Sequence, residues 1–306
     1  MIVLGFDTSN YTTSIAAYDG GRGHNCSRLL DVRPGELGLR QSDALFSHMK
    51  RLPALAAQLM DEIGACDDVV ALGVSTRPRA VEGSYMPCFL SGESQARVLA
   101  SVLNVPVYSF SHQQGHIAAA CWGAERMDLL KTPHLAWHLS GGTTELLLVE
   151  PELRAACIGG TTDLSAGQLI DRTGQMLGLD FPAGKAIDRL SAGSDSADLF
   201  RVRVDGAQFS LSGVQNKLRE YFEKTGDPAA TARYCLRSII HAVRKATKQT
   251  LDEHPGLPVV FSGGVASNSM LREAVACLDA VFCPPAYSTD NAMGIAVLTW
   301  EAYHGA

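Results

Sequence analysis

No apolar run in this chain approaches the roughly 20 residues that a membrane-spanning helix requires, so no transmembrane segment is expected. No charged leader or small-residue cleavage site precedes the strand-like opening MIVLGFDTS, and a cytoplasmic location is the resulting expectation. The eight cysteines include no Cys-x-x-Cys pair and fall mostly inside apolar segments, which fits reduced, buried thiols better than a disulfide framework or a zinc ribbon. An excess of positive charge is missing as well: 26 Lys and Arg against 32 Asp and Glu give a net charge of −6. A polyanion therefore feels no global attraction, and a nucleic-acid substrate would need a local cationic patch or a partner to supply the field. Low-complexity tracts, long linkers and a convincing Ser-His-Asp or Cys-His set are also absent.

What is present is a chain of 306 residues, 46% hydrophobic, long enough to bury one large core or two of ordinary size. Residues 2 to 18, IVLGFDTSNYTTSIAAY, read as strand, short polar turn and strand, and residues 135 to 149, LAWHLSGGTTELLLV, repeat that plan. A unit occurring twice points to two related lobes. A third glycine tip, VVFSGGVASNSMLRE at 259 to 273, reads as strand, Ser-Gly-Gly and helix. Helical periodicity falls near 41–64, 91–103, 112–122, 163–178, 210–224, 228–252 and 290–303, with further strands near 69–75, 105–109 and 280–283. The alternation predicts an α/β protein.

Backbone N–H groups can approach a phosphate closely where glycine removes the Cβ. Gly141 and Gly142 at one tip, and Gly263 and Gly264 before a helix, meet that need, while Asp7, Thr8 and Ser9 at the first tip offer oxygens to a metal or its waters. Any single Gly-Gly, taken alone, reads better as a tight turn. Three tips in the order hairpin, hairpin, strand-to-helix have the layout of the two-lobed actin, hexokinase and Hsp70 fold. His112 and His116 are one helical turn apart, a spacing that suits two imidazoles meeting one cation and equally a helix with two polar positions on one face. Gln113 stands where an HExxH peptidase needs its glutamate base. Asp290 and His138 are candidates for a third ligand, although Asp290 also reads as a helix N-cap and His138 as a buried strand histidine.

Seven blocks in order carry a family resemblance: GFDTS at 5–9, HQQGHIAA at 112–119, SGGTTELLLV at 140–149, AGQLIDRTGQMLGLDFPAGKAID at 166–188, FSLSGVQNKL at 209–218, SGGVASNSMLRE at 262–273 and TDNAMGIA at 289–296. The chain resembles, almost end to end, the TsaD-type threonylcarbamoyltransferases of tRNA modification, a family once described as O-sialoglycoprotein endopeptidases. The resemblance implies the two-lobed actin/hexokinase/Hsp70-like ATPase fold with duplicated lobes around a nucleotide cleft, one lobe formed by 1–110 with about 290–306 and the other by about 111–289. It implies one metal ion, iron or zinc, on His112, His116 and Asp290. It places adenylate phosphates at Ser140, Gly141, Gly142 and Thr143, with Gly263 and Gly264 at the third tip, and ribose or adenine contacts on Asp171, Gly184, Asp188 and Asn268. Asp7 and Ser9 in the first loop fall where catalysis is expected. The ligand implied is an adenine nucleotide or threonylcarbamoyl adenylate. The partners implied are tRNA, a smaller actin-like subunit and an ATPase.

The first loop departs from the family's ETSCDET: Tyr11 and Thr12 occupy the two acidic positions. Gln114 replaces a glutamate between the histidines, Thr143 a His or Asn, and Ala183 a glycine. The same fold and ligands are thus compatible with other readings: carbamoyl transfer or adenylate binding with a non-tRNA acceptor, or a non-catalytic nucleotide-binding regulatory subunit. A metallopeptidase is the reading least supported, for want of the glutamate base.

Overall fold

The computed structural model describes residues 1–9, 11–31, 39–64, 68–284, 287 and 292–305. In chain order the elements are β1 (Ile2–Thr8), β2 (Thr12–Tyr18), β3 (Gly23–Leu29), α1 (Gln41–Ile63), β4 (Val69–Arg77), α2 (Phe89–Leu103), β5 (Val107–Ser111), α3 (His112–Gly123), β6 (His134–Leu139), β7 (Thr144–Glu150) and β8 (Arg154–Thr161). They continue as α4 (Ala166–Met176), α5 (Gly184–Ser191), β9 (Val204–Asp205), β10 (Gln208–Phe209), α6 (Ser212–Thr225), α7 (Pro228–Glu253), β11 (Val259–Ser262), α8 (Ser269–Ala274), β12 (Ala280–Phe282) and α9 (Met293–Gly305).

Two compact units result, Met1–Leu130 with Asp290–Ala306, and Lys131–Thr289. The sequence reading put the boundary at residue 110; the contacts put it after Leu130, because α3 packs against α9 inside the first unit. Glycines permit that packing. A side chain on Gly294 would collide with the Gly115 carbonyl, and one on Gly5 would come within 2.7 Å of the Ala292 carbonyl oxygen, so α9 lies directly on α3 and on β1. Residues Met293 to Thr299 of α9 are all buried, as expected of a helix that is apolar on every side.

Unit 1 holds a five-stranded sheet in the order β3-β2-β1-β4-β5, and unit 2 a seven-stranded sheet in the order β12-β11-β6-β7-β8-β10-β9. In each, an antiparallel hairpin (β1–β2, β6–β7) continues into a third antiparallel strand and is flanked on its first strand by two parallel ones. The short β9–β10 pair is added at one edge of the second sheet. The core of unit 2 is centred on Trp137, fully buried, whose indole N–H donates to Thr247 Oγ1 of α7 at 2.9 Å. Local chemistry sets the element ends. Gly226, at φ +59°, stops α6, and Asp227 caps α7 by accepting from the N–H groups of Ala229 and Ala230, with Pro228 in the first turn.

Candidate functional site

In unit 1 the chemistry gathers at the ends of β1 and β4 and the first turn of α3. Ser111 caps α3: its hydroxyl accepts from the Gln114 N–H at 3.2 Å, and Gln114 Oε1 accepts from the Ser111 N–H at 2.9 Å, a reciprocal capping box. This fixes His112 at the first helical position and His116 one turn on. Asp7, 1% exposed, presents Oδ2 to His112 Nδ1 at 2.6 Å, and Ser75 Oγ donates to the other oxygen, Oδ1, at 2.9 Å. The Nε2 atoms of His112 and His116 face each other 2.9 Å apart. With the proton of His112 held on Nδ1 by the Asp7 carboxylate, its Nε2 lone pair points at His116.

That arrangement suits a cation. Two nitrogens each about 2.1 Å from one metal stand about 3 Å apart in adjacent octahedral positions and slightly further apart in tetrahedral ones. A carboxylate behind the ligating imidazole is the usual means of fixing its tautomer. Among the described residues no group of three or more His, Cys, Asp or Glu side chains surrounds one point, so Asp7 stands behind the pair rather than beside it as a third ligand. Asp290, the expected third ligand, lies outside the described residues. His138, the other candidate, belongs to unit 2, on β6 opposite Glu145 and Ser262.

The rest of the first loop is occupied by structure. Thr8 Oγ1 donates to the Cys88 carbonyl at 3.1 Å and accepts from the Gly92 N–H at 3.1 Å, so this hydroxyl is committed to the start of α2. Thr13 Oγ1 lies 2.8 Å from Nδ1 of His48, a fully buried histidine of α1. Burial lowers the His48 pKa, against opposing contributions from the backbone of Ser9 and the charge of Asp7. Ser9 is itself buried. Sequence reading missed His48, although Ala44, His48, Leu52, Leu55 and Leu59 form the buried stripe of α1, and a histidine within an apolar stripe is the available signal. Tyr11 is exposed and Thr12 buried, paired with Leu29 in the β2–β3 ladder.

In unit 2 the β6–β7 tip closes on itself. The Ser140 N–H donates to the Thr143 carbonyl at 2.8 Å and the Thr143 N–H to Ser140 Oγ at 3.1 Å, leaving Gly141 and Gly142 exposed with open space around them. The N-terminus of α4 is seated against this tip, which the sequence reading did not foresee. Ser165 both caps α4 and donates to the Gly141 carbonyl at 2.7 Å, and Gly167 lies so close to Ser140 and Gly141 that no side chain fits there. Exposed glycine backbone beside a helix N-terminus is an arrangement of the kind that can receive an anion.

Gly263 follows β11 in the left-handed region, at φ +90°, with its α-carbon against the Leu139 carbonyl at the end of β6. The second and third tips are thus neighbours. Gly264 opens a short 3-10 turn, Gly264–Ser267, that separates the tip from α8, where a direct strand-to-helix step was expected. Asp188 and Asn268 meet: Asn268 Nδ2 donates to Asp188 Oδ1 at 2.8 Å, and Asn268 Oδ1 caps α8 through the Leu271 N–H at 3.0 Å. Asp171 Oδ1 accepts from the Ala183 N–H at 2.8 Å, next to Gly184 at the start of α5, and burial raises the Asp171 pKa.

Residues 38–297 match the family model of TsaD, tRNA N6-adenosine threonylcarbamoyltransferase. A protein of that description from Thermus thermophilus is 33% identical over 99% of this chain and 93% of its own length. Another, from Streptococcus pneumoniae, is 30% identical over 90% and 83%. Among solved structures, full-length HypF aligns with all of this chain and 56% of its own at a TM-score of 0.63 and 13% identity, and the Acidaminococcus fermentans (R)-2-hydroxyglutaryl-CoA dehydratase component A aligns with 99% of each at 0.59 and 15%. A ROK family glucokinase from Streptomyces griseus aligns at 0.55 and 12%. These structural likenesses establish the actin- and hexokinase-like fold.

Proposed function

The chain belongs to the tRNA N6-adenosine threonylcarbamoyltransferase (TsaD) family, and from that membership and the geometry of its two units we propose that it transfers the threonylcarbamoyl group of threonylcarbamoyl adenylate to an adenosine of tRNA. The observation that carries the metal-assisted form of this reading is the facing pair of imidazole nitrogens with Asp7 behind it. His112 and His116 hold one divalent ion, iron or zinc, with Asp290 as third ligand. When bound, such an ion supplies Lewis acidity toward a carbamoyl or phosphate oxygen.

The chain's own residues do the remainder. The adenylate is a mixed anhydride, already activated, so transfer needs positioning and charge stabilisation more than a strong nucleophile. Gly141, Gly142 and the N-terminus of α4 hold the phosphate, while Asp188, Asn268, Asp171 and Gly184 receive ribose and base. The adenosine amine then attacks the carbamoyl carbon. The new C–N bond forms as the C–O bond to phosphate breaks, AMP leaves with the bonding pair, and the amine proton passes to solvent.

The partner expectation has support in unit 1. Phe46 and Met49 of α1 and Val98 and Val102 of α2 are exposed on two helices that pack together, an apolar face suited to a second, smaller subunit. Incorporation of labelled threonine into tRNA by the full chain, supplied with its partner proteins, tests the whole proposal; adenylate turnover that is indifferent to tRNA sinks the acceptor. Tyr11 and Thr12, in place of two carboxylates, favour one second reading: a subunit that binds adenylate without turning it over. Binding without release of AMP would support that reading.

A further inference from the structure

The chain is acidic, yet one face of α7 in unit 2 carries a run of basic residues. Along α7, Arg233, Arg237, His241, Arg244 and Lys248 recur at intervals of four, four, three and four, which keeps them on one face of the helix, and Lys245 adjoins them. The only acids of α7 are Asp252 and Glu253, at its last turn. Arg244, Lys245 and Lys248 are exposed, and Arg237 and His241 are half-buried at the edge of the packed surface. Arg201, from the segment before β9, joins them. The pKa of His241 is lowered first by burial and then by Lys245, Arg201 and Arg244, with no carboxylate opposing them.

Several cations elsewhere are held in ion pairs. Arg51 sits against Asp31, Arg97 against Glu93, Arg126 against Asp128, Arg154 against Glu150, Arg203 against Asp205 and Lys217 against Glu220. Among the described residues, Arg201, Arg237, Arg244, Lys245 and Lys248 carry no such partner, and Nε of Arg237 is buried with no hydrogen-bond partner. The patch begins at Arg237. One turn earlier, Arg233 donates to the Ser196 carbonyl at 3.1 Å, on the same segment as Asp198, which accepts from Tyr221. From Arg237 to Lys248 the helix runs about 16 Å at ~1.5 Å per residue, room for several backbone phosphates.

Leaving so many cations together without carboxylates costs self-repulsion, which a polyanion relieves. We propose that the α7 face formed by Arg201, Arg237, His241, Arg244, Lys245 and Lys248 is where unit 2 contacts the phosphate backbone of the acceptor tRNA. This rests on the acceptor reading above and adds the surface on which that acceptor lies. It also supplies the local cationic field that the net charge of −6 requires of a nucleic-acid substrate. The contacts are to phosphate, so they position the RNA and do not read its sequence.

The test is binding of unmodified tRNA transcript to the full chain, followed by fluorescence anisotropy across a salt series. The variant Arg244→Gln/Lys245→Gln/Lys248→Gln keeps helix-forming side chains. The control Arg97→Gln/Arg154→Gln/Lys217→Gln removes the same charge from ion-paired sites elsewhere. The α7 variant is expected to bind at least ~10-fold more weakly at 0.1 M salt, with the slope of log K against log salt reduced by about 2 to 3. Its adenylate affinity should be unchanged, and the control should bind tRNA as the wild type does. Equal losses in both triple variants, or a loss in neither, overturn the proposal. A wild type that does not bind tRNA overturns it too, and labelled-threonine transfer in the same samples then shows whether the acceptor reading falls with it.

Discussion

The two hairpin tips, built on sheets that share the same five-strand order, are made in opposite ways. At the β1–β2 tip the functional side chains turn inward: Asp7, Thr8 and Ser9 are buried, with Asp7 braced by Ser75 and Thr8 by the start of α2. At the β6–β7 tip the side chains are gone, and Gly141 and Gly142 offer bare backbone to solvent. The first design suits a cation, which needs oriented lone pairs held against one another's repulsion. The second suits an anion, which needs N–H groups with nothing in front of them. Under the proposed function, one duplicated scaffold would thereby serve both signs of ligand.

Emptying the first tip should have the largest effect. His112→Ala is expected to abolish metal in native mass spectrometry and to lower transfer by more than ~100-fold, while adenylate binding persists. Simultaneous loss of both ligands would contradict the division of labour between the tips. Asp7→Asn is the finer probe. The amide can donate to Nδ1 of His112 and so move the imidazole proton to Nε2, which faces His116. Metal affinity is expected to fall about 10- to 100-fold. In metal-free protein, the ¹⁵N shifts of His112 should report the altered tautomer without any assay of activity. Unchanged shifts and affinity would reduce Asp7 to a structural carboxylate.

How much of this was legible beforehand follows from whether the signal was local. Strand-turn-strand patterns, glycine tips and the histidine spacing are local, and each was readable. The exposed strands β3 and β8 carry mixed, partly polar sequence and gave no alternating pattern, and α5 lies in a stretch too short for periodicity. The capping box was present as Ser111 and Gln114, yet Gln114 was weighed against a family glutamate rather than as the third residue of a helix. That α3 belongs with α9 depends on Gly115 meeting Gly294, far apart in the chain. The Asp7–His112 and Asp188–Asn268 pairs are likewise products of the fold, although all four residues had been singled out. The cations of α7 were visible as composition, but their lack of partners was not.

At the second tip a smaller effect separates scaffold from ligand contact. Gly263→Ala forces a side chain into the left-handed region and toward the Leu139 carbonyl, and should destabilise the protein by about 1–3 kcal/mol in denaturant unfolding. Gly142→Ala meets nothing within 4 Å and should leave stability within about 0.5 kcal/mol of wild type while weakening adenylate binding. If Gly142→Ala destabilises as much as Gly263→Ala, the exposed tip is structural and the anion cradle is misassigned.

The smallest expected effects come from two carboxylates of unit 2 whose pKa values move in opposite directions. Burial raises that of Asp171, opposed by the Ala183 N–H. For Asp163 burial also pushes upward but is outweighed by the hydroxyls of Ser210 and Ser212 and the N–H groups of Leu211 and Leu164, and the net shift is downward. A raised acid contributes stability below its unfolded value near 3.8, and that stability is lost as pH rises through the folded value; a lowered one contributes above 3.8, and its contribution is lost as pH falls through the folded value. Asp171→Asn keeps the acceptor for Ala183 and removes a buried charge, so its Tm should equal or exceed that of wild type at pH 7, by roughly 2 °C or less, with the difference closing toward pH 4. Asp163→Asn should lower Tm at pH 7, and its deficit should shrink on acidification. Asp171 is nonetheless a proposed adenylate contact, so the same Asn variant should bind adenylate more weakly although it is no less stable. A variant of Asp171 that loses stability at pH 7 and keeps its adenylate affinity would assign this carboxylate to the scaffold, with Asp163.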